Sequence, residues 1–176
     1  PALVNEGICI VISPLVALMK DQTNKLNKRN IQAIAITGGL NQHELDVALD
    51  NCIYGNIKLL YISPERLESD IVRERIKKMN VNLIAVDEAH CISQWGYDFR
   101  PSYLKIAEIR VLKPDSPILA LTATATKKVV KDIQDKLLFK KQNVILNSFK
   151  RSNLAYMVLE ESHKSTRVQK ILQKIK

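Results

Sequence analysis

Two carboxylates and a histidine stand nearly side by side at Asp87, Glu88 and His90, directly behind the apolar run Leu83–Val86. Acids at the end of a buried strand are costly to hold without donors or a cation. A divalent metal shared with a nucleotide phosphate is one solution. The first acid then holds the metal, usually through water, and the second orients or deprotonates an attacking water. A helix N-terminus is the other solution, with Asp87 as its cap and Glu88 in its first turn. Shortly after come Trp95, Tyr97, Phe99 and Arg100, grouped around Gly96. Aromatics beside an arginine suit a loop that stacks on flat, negatively charged partners. Core packing is the alternative for Trp95 and Phe99.

The elements that must position these groups are legible from periodicity. Ile8–Ile12 is an apolar run without alternation, as in a strand buried on both faces. Ser13 and Pro14 can open the helix that follows, with Leu15, Leu18, Met19, Gln22 and Leu26 on one face. Ile31–Ile36 reads as the next strand, turned by Thr37-Gly38-Gly39 into a helix over 41–51 on which His43 and Glu44 face solvent. Gly55 ends it. Ile57–Ile62 is a third strand, and Ser63-Pro64-Glu65-Arg66 opens a helix continuing to Met79. Leu83–Val86 is the fourth strand. Pro101–Leu112 reads as an amphipathic helix closed at Lys113-Pro114-Asp115. Ile118–Leu121, a helix from Lys127 to Leu138, and Val144–Leu146 as a sixth strand complete the series. Past 149–153 the pattern restarts with a strand at Leu154–Leu159 and a basic helix over 164–176.

Strands alternating with helices at short spacing define a doubly wound α/β domain with a mostly parallel sheet. Ligands of such sheets bind beyond the carboxyl ends of the strands. Ser13-Pro14, Thr37-Gly38-Gly39, Ser63–Arg66, Asp87–His90 and Thr122–Thr124 all follow a strand, so the fold gathers them at one edge. Strand-to-helix turns are rich in such residues anyway, but that does not account for a strand ending in Asp-Glu.

With 176 residues, 46% of them hydrophobic, the chain can build a core for one domain and part of another. No run reaches the length of a membrane span, and the sequence shows no signal-peptide pattern. Cys9, Cys52 and Cys91 lack any paired spacing and read as reduced, buried thiols of a cytosolic protein, not as a disulfide frame or zinc site. The net charge is +9. Residues 1–126 balance, and the whole excess lies in 127–176. That asymmetry fits a polyanion partner, or a solvated lysine-rich surface.

The tetrad Asp87-Glu88-Ala89-His90 resembles the DEAH form of the Walker B box of superfamily 2 helicases. The other turns resemble that superfamily's boxes in the same order. Ser13-Pro14-Leu15 with Met19-Lys20-Asp21-Gln22 is similar to motif Ia, and Thr37-Gly38-Gly39 to the GG box. Ser63–Leu67 is similar to motif Ib, and Thr122-Ala123-Thr124-Ala125 to motif III. Cys91–Tyr103 (CISQWGYDFRPSY) resembles the aromatic-rich loop of the RecQ family, departing from it at Tyr97, where a histidine is common.

The resemblance implies a RecA-like fold, ATP and Mg2+ as cofactors, and single-stranded and duplex DNA as partners, with no membrane. It implies that Asp87 holds Mg2+ through water, that Glu88 positions the hydrolytic water, and that His90 passes the nucleotide state onward. Thr122, Ala123 and Thr124 would couple hydrolysis to movement; capping of the next helix is the alternative for the threonines. Ser13, Lys20, Ser63, Arg66, Trp95, Phe99 and Arg100 would contact nucleic acid. His43 and His163 receive no role. Repair and recombination, in the cytoplasm of a bacterium or the nucleus of a eukaryote, are the implied setting.

No GxxxxGK followed by Ser or Thr occurs in the sequence, although the superfamily needs that loop to cradle phosphates. The chain is therefore expected to be a piece of a longer protein. Residues 1–150 would form the first RecA-like domain without its first strand and phosphate loop. Residues 151–176 would form a linker and the start of a second. The chain alone would then be inactive. An RNA helicase of the same superfamily and a non-catalytic nucleic-acid-binding module are the competing readings.

Overall fold

The apolar runs become the strands of one sheet. β1 (Ile8–Ile12), β2 (Ala33–Ile36), β3 (Leu59–Ile62), β4 (Val81–Val86) and β5 (Ile118–Ala120) lie in the order β2-β3-β1-β4-β5. Every neighbouring pair is parallel. Ile10, Ile12, Leu60, Ile62, Ile84 and Val86 are wholly buried. Successive residues of β1 point to opposite faces, so burial of both Cys9 and Ile10 means that both faces are covered. Their cover comes from α1 (Val16–Asn27), α2 (Gln42–Tyr54), α3 (Asp70–Lys78), α4 (Ile109–Leu112) and α5 (Lys127–Lys136).

The computed structural model describes residues 1–147, 151–155, 158, 160 and 163–174. They fall into two compact units, Pro1–Gln142, which holds the sheet, and Asn143–Lys176, which holds α6 (Lys164–Lys174).

Strand order fixes where a ligand can sit. The connection from β1 leads to β2 on one side of the sheet, and the connection from β4 leads to β5 on the other. The crevice between the carboxyl ends of β1 and β4 is therefore the topological switch point. Ser13 follows β1 there, and Asp87 follows β4.

Several local expectations give way. Ser13 does not cap α1; the N-cap is Leu15, without a side-chain cap bond. Ser13 is instead drawn inward, 1% exposed, and its hydroxyl donates to Asp87 Oδ2 at 3.3 Å. The helix expected from Ser63 to Met79 breaks at Ser69, which is extended (φ −71°, ψ 124°) between a 3-10 turn at Pro64–Glu68 and α3. Pro101–Glu108 winds as a 3-10 helix before α4. Its buried side chains, Tyr103 and Ile106, continue into Ile109 at every third residue, the repeat of a three-residue turn. Glu44 is not idle on the surface: it forms a reciprocal capping box with Asn41 at the start of α2.

Val144–Leu146 forms no strand and stays exposed, since no described strand pairs with it. The expected strand Leu154–Leu159 lies partly outside the described residues. Burial pushes the free thiols of Cys9 and Cys91 up to about 11, and that of Cys52 up to about 12. These thiols are protonated packing groups at neutral pH.

Candidate functional site

β4 delivers Asp87 to the switch point and the surroundings pin it at several atoms. Its amide donates to the Ile12 carbonyl (2.8 Å), extending the β1–β4 pairing by one bond. Its carbonyl accepts from the buried Tyr103 hydroxyl at 3.0 Å. Oδ1 accepts from the Glu88 amide (2.9 Å), and Oδ2 accepts from Ser13 Oγ. The carboxylate is thus oriented by neutral donors and remains half-buried.

Glu88 has left-handed backbone (φ 48°, ψ 43°) at the start of a 3-10 turn over Ala89–Ile92, and its side chain makes no cap bond. Glu88, not Asp87, holds the N-cap position, and Asp87 Oδ1 accepts from the Glu88 amide rather than from a first-turn amide, so the reading with Asp87 as cap and Glu88 in the first turn is not the one the fold adopts. Its Oε2 lies 3.2 Å from His90 Nδ1, and that same nitrogen lies 2.9 Å from Thr122 Oγ1. Thr122 Oγ1 also accepts from the Thr124 amide (3.2 Å) and approaches the Thr124 carbonyl (3.3 Å). Pairing of the Ala89 amide with the Leu121 carbonyl (2.9 Å) holds the two segments together. Acid, histidine and threonine therefore form a continuous chain from the end of β4 to the segment after β5. The cap of α5 is Thr126, whose hydroxyl accepts from the Val129 amide, so Thr122 and Thr124 are not its caps.

Among the described residues, no group of three or more His, Cys, Asp and Glu could hold a metal ion. One oriented carboxylate beside a hydroxyl is the donor set of a hydrated hard cation shared with phosphates, not of a closed protein cage.

The aromatic loop begins where that turn ends. Gly96 packs against the His90 carbonyl so closely that a Cβ would collide with it. Trp95 is 62% exposed and Tyr97 99%, so neither is a core residue; Phe99 is half-buried. Lys128 Nζ of α5 lies 3.1 Å from the centroid of the Trp95 ring. Ser93 Oγ donates to Asp132 Oδ2 at 2.7 Å and accepts from the Trp95 amide at 3.2 Å. Lys136 Nζ donates to the Ile92 carbonyl (3.1 Å). Arg100 directs both Nε (3.1 Å) and Nη2 (3.0 Å) to Asp98 Oδ2, which pushes its pKa further up.

Ser63 and Arg66 follow β3 at the same sheet edge, and Lys20 lies within α1, with no bond from any of the three to the acid–histidine–threonine chain. Arg66 Nη2 donates to the Thr37 carbonyl at 3.1 Å, tying two of the turns together. Ser63 is half-buried, while Lys20, Ala123 and Thr124 are exposed. His43 and His163 are exposed as well. Sequence reasoning missed Tyr103, Ser93, Asp132 and Lys128. The first two stand within the aromatic-loop stretch and could have been singled out there. Nothing in the sequence marks Lys128 or Asp132 among the other charges of α5.

A parallel sheet with paired acids at its switch point, and a histidine linking them to the segment after β5, defines an α/β domain with its candidate site at the carboxyl ends of the strands. The DEAD/DEAH box helicase family profile matches residues 2–133, and the chain belongs to that family. Over nearly its whole length the sequence is RecQ-like. It is 43% identical over 174 residues to the ATP-dependent DNA helicase RecQ of Bacillus subtilis, covering 98% of this chain and 29% of that protein. Against the ATP-dependent DNA helicase RecQ of Haemophilus influenzae it is 42% identical over 164 residues, covering 93% and 26%. The probable ATP-dependent DNA helicase RecS of Bacillus subtilis is 37% identical over 174 residues, covering 98% and 35%. The chain thus spans between 26% and 35% of the length of these curated relatives. Among solved structures, the Hef helicase domain of Pyrococcus furiosus superposes with a TM-score of 0.57 at 21% identity, covering 80% of this chain and 29% of that one. That likeness is one of fold.

Proposed function

We propose that this chain is part of a RecQ-type, ATP-dependent DNA helicase, in which ATP hydrolysis drives DNA unwinding during repair and recombination. Residues 1–150 correspond to most of its first RecA-like domain, and 151–176 to a linker and the start of the second. The bacterial cytoplasm or the eukaryotic nucleus is the corresponding compartment. The observation that carries this reading is His90, whose Nδ1 stands between Glu88 Oε2 (3.2 Å) and Thr122 Oγ1 (2.9 Å). A change at the acid is felt by the threonine through one ring.

In this reading Asp87 holds Mg2+, with Ser13 and the Glu88 amide fixing the direction of its carboxylate. When bound, Mg2+ would neutralise charge on the transferring phosphoryl group. Glu88 orients the attacking water and accepts its proton. His90 transmits the state of Glu88 to Thr122, and the backbone of Ala123 and Thr124 moves with it. Trp95 and Phe99 stack on bases, and Arg100 pairs with phosphate once Asp98 releases it. Lys20, Ser63 and Arg66 serve as contacts to the nucleic-acid backbone, while Ser13, 1% exposed, acts by orienting Asp87.

The sequence contains no phosphate-cradling loop, so the chain on its own is expected to bind MgATP weakly and not to turn it over. Calorimetry tests this, and micromolar affinity would overturn it. Substrate class is tested in the longer parent protein. Single-stranded DNA should raise its ATP turnover well above the level reached with RNA of the same length. Stronger activation by RNA would move the substrate to RNA, and equal activation would overturn the preference for DNA.

A further inference from the structure

The groups of the aromatic loop best suited to meet a nucleic acid are engaged inside the protein. Arg100 is neutralised by Asp98. One face of Trp95 is covered by the Lys128 ammonium. The cover is built, not incidental. Lys128, Asp132 and Lys136 recur at four-residue spacing, which lines them along one stripe of α5. All three engage the loop: Lys128 on the Trp95 ring, Asp132 on Ser93 Oγ (2.7 Å), and Lys136 on the Ile92 carbonyl (3.1 Å). Lys136 and Asp132 also pair with each other at 3.5 Å. The stripe begins just beyond Thr122 and Thr124, the segment that His90 touches.

We propose that Lys128 is a latch on Trp95: its ammonium occupies a stacking face of the indole, and single-stranded nucleic acid must displace it to use that face. The proposal rests on the reading that Trp95 stacks on bases. A base cannot lie on a ring face already covered at 3.1 Å. The latch ties that face to α5, so a shift of α5 relative to the aromatic loop, driven through Thr122, uncovers Trp95. The aromatic loop is then gated from the hydrolysis side without a contact between Trp95 and the acids.

The consequence is unusual in sign. Removing a lysine ordinarily weakens nucleic-acid binding, because each neutralised phosphate adds affinity. Removing Lys128 should strengthen it. The test uses this chain and a labelled oligothymidylate, with anisotropy as the readout. Lys128→Met, which keeps the stem and removes the charge, should bind roughly two- to fivefold more tightly than the unsubstituted chain, the scale of an exposed cation–π contact. Lys131→Met removes a charge from an exposed position of the same helix and should bind more weakly. Equal weakening by both would overturn the latch and make Lys128 an ordinary phosphate contact. Trp95 is the sole tryptophan of the sequence, so its emission reports the contact directly. Lys128→Met should shift that emission and raise its acrylamide quenching, and an unchanged spectrum would also overturn the latch. Trp95→Ala separates the two readings. If it leaves oligothymidylate affinity unchanged, base stacking itself fails. If it weakens binding while Lys128→Met does not tighten it, only the latch fails.

Discussion

Glu88 shows how much a single residue is made to bear. Left-handed backbone costs a residue with a side chain about 1–2 kcal/mol, and Glu88 adopts it at φ 48°. That conformation turns the chain sharply after β4. It lets Oε2 reach His90 while the Glu88 amide donates back to Asp87 Oδ1 (2.9 Å). Strain of this kind persists where surrounding bonds over-determine it, and the bonds on Asp87, Ala89 and His90 do so. Glu88→Gln keeps the size and the hydrogen-bonding reach but cannot accept a proton. In the parent protein it should lower ATP turnover by about 10²–10⁴-fold while nucleotide affinity stays near normal. Retained turnover would remove Glu88 from the proton transfer. At His90 the prediction concerns coupling. Thr122→Val keeps the shape and removes the hydroxyl that meets Nδ1. DNA stimulation of turnover should fall more than the basal rate does, and an equal fall in both would confine Thr122 to a structural role.

At the scale of elements, α5 and the 3-10 helix at Pro101–Glu108 hold the site between them. Tyr103 is buried in that 3-10 helix and donates to the Asp87 carbonyl. Tyr103→Phe leaves the carbonyl without this donor and should cost about 1–3 kcal/mol, read as a lower urea midpoint at unchanged slope. On the other side, Asp132 is held below the usual aspartate range by its bond from Ser93, with Lys136 and Lys128 adding to the effect. Lowered in the fold, its contribution is complete above the ordinary value of 3.8 and fades as pH falls through the lowered one. Trp95 emission should therefore stay level from neutral pH to about pH 4 and change only below it. A transition centred near pH 6 would place control of the loop elsewhere.

Most of these elements could be read from residue pattern, for a physical reason. Ile8–Ile12 and Leu59–Ile62 are apolar on both faces, and a strand in the middle of a parallel sheet is one of few places such runs fit. The acids were visible because carboxylates closing such a run are costly unless a cation or several donors meet them. The run at Val144–Leu146 is just as apolar, but a strand also needs a neighbour, and neighbours are not encoded locally. Ser13-Pro14 looks like a helix start until Asp87, far along the chain, claims its hydroxyl. Lys128 looks like one lysine among many until the fold sets it on a ring. The misreadings share this origin: long-range partners reassigned groups whose local chemistry had pointed elsewhere.

At the scale of the molecule, the sheet carries the stability and the loops beyond it carry the chemistry. Ile10 is wholly buried at the centre of β1, with β3 and β4 on either side. Ile10→Ala should cost about 2–5 kcal/mol, a large share of the 5–15 kcal/mol typical of a domain. Chemical denaturation of the variant should show it close to unfolding, and a loss below 1 kcal/mol would mean that the sheet centre can collapse around the gap. The charge follows the same division. The balanced first part holds the sheet, and the excess of +9 begins at α5, the helix that meets the aromatic loop.

The order β2-β3-β1-β4-β5 also has a history in time. Of these strands, a ribosome makes the central one first. Its flanks are β3 and β4, so Ile8–Ile12 emerges long before Val81–Val86 exists to close over its second edge. Until then one of the most apolar strands of the protein is an open template. Until β4 is made, α1 or a chaperone can cover the edge of β1 that β3 leaves open. Stalling synthesis between Ile62 and Val81 should leave the nascent chain at its most adhesive.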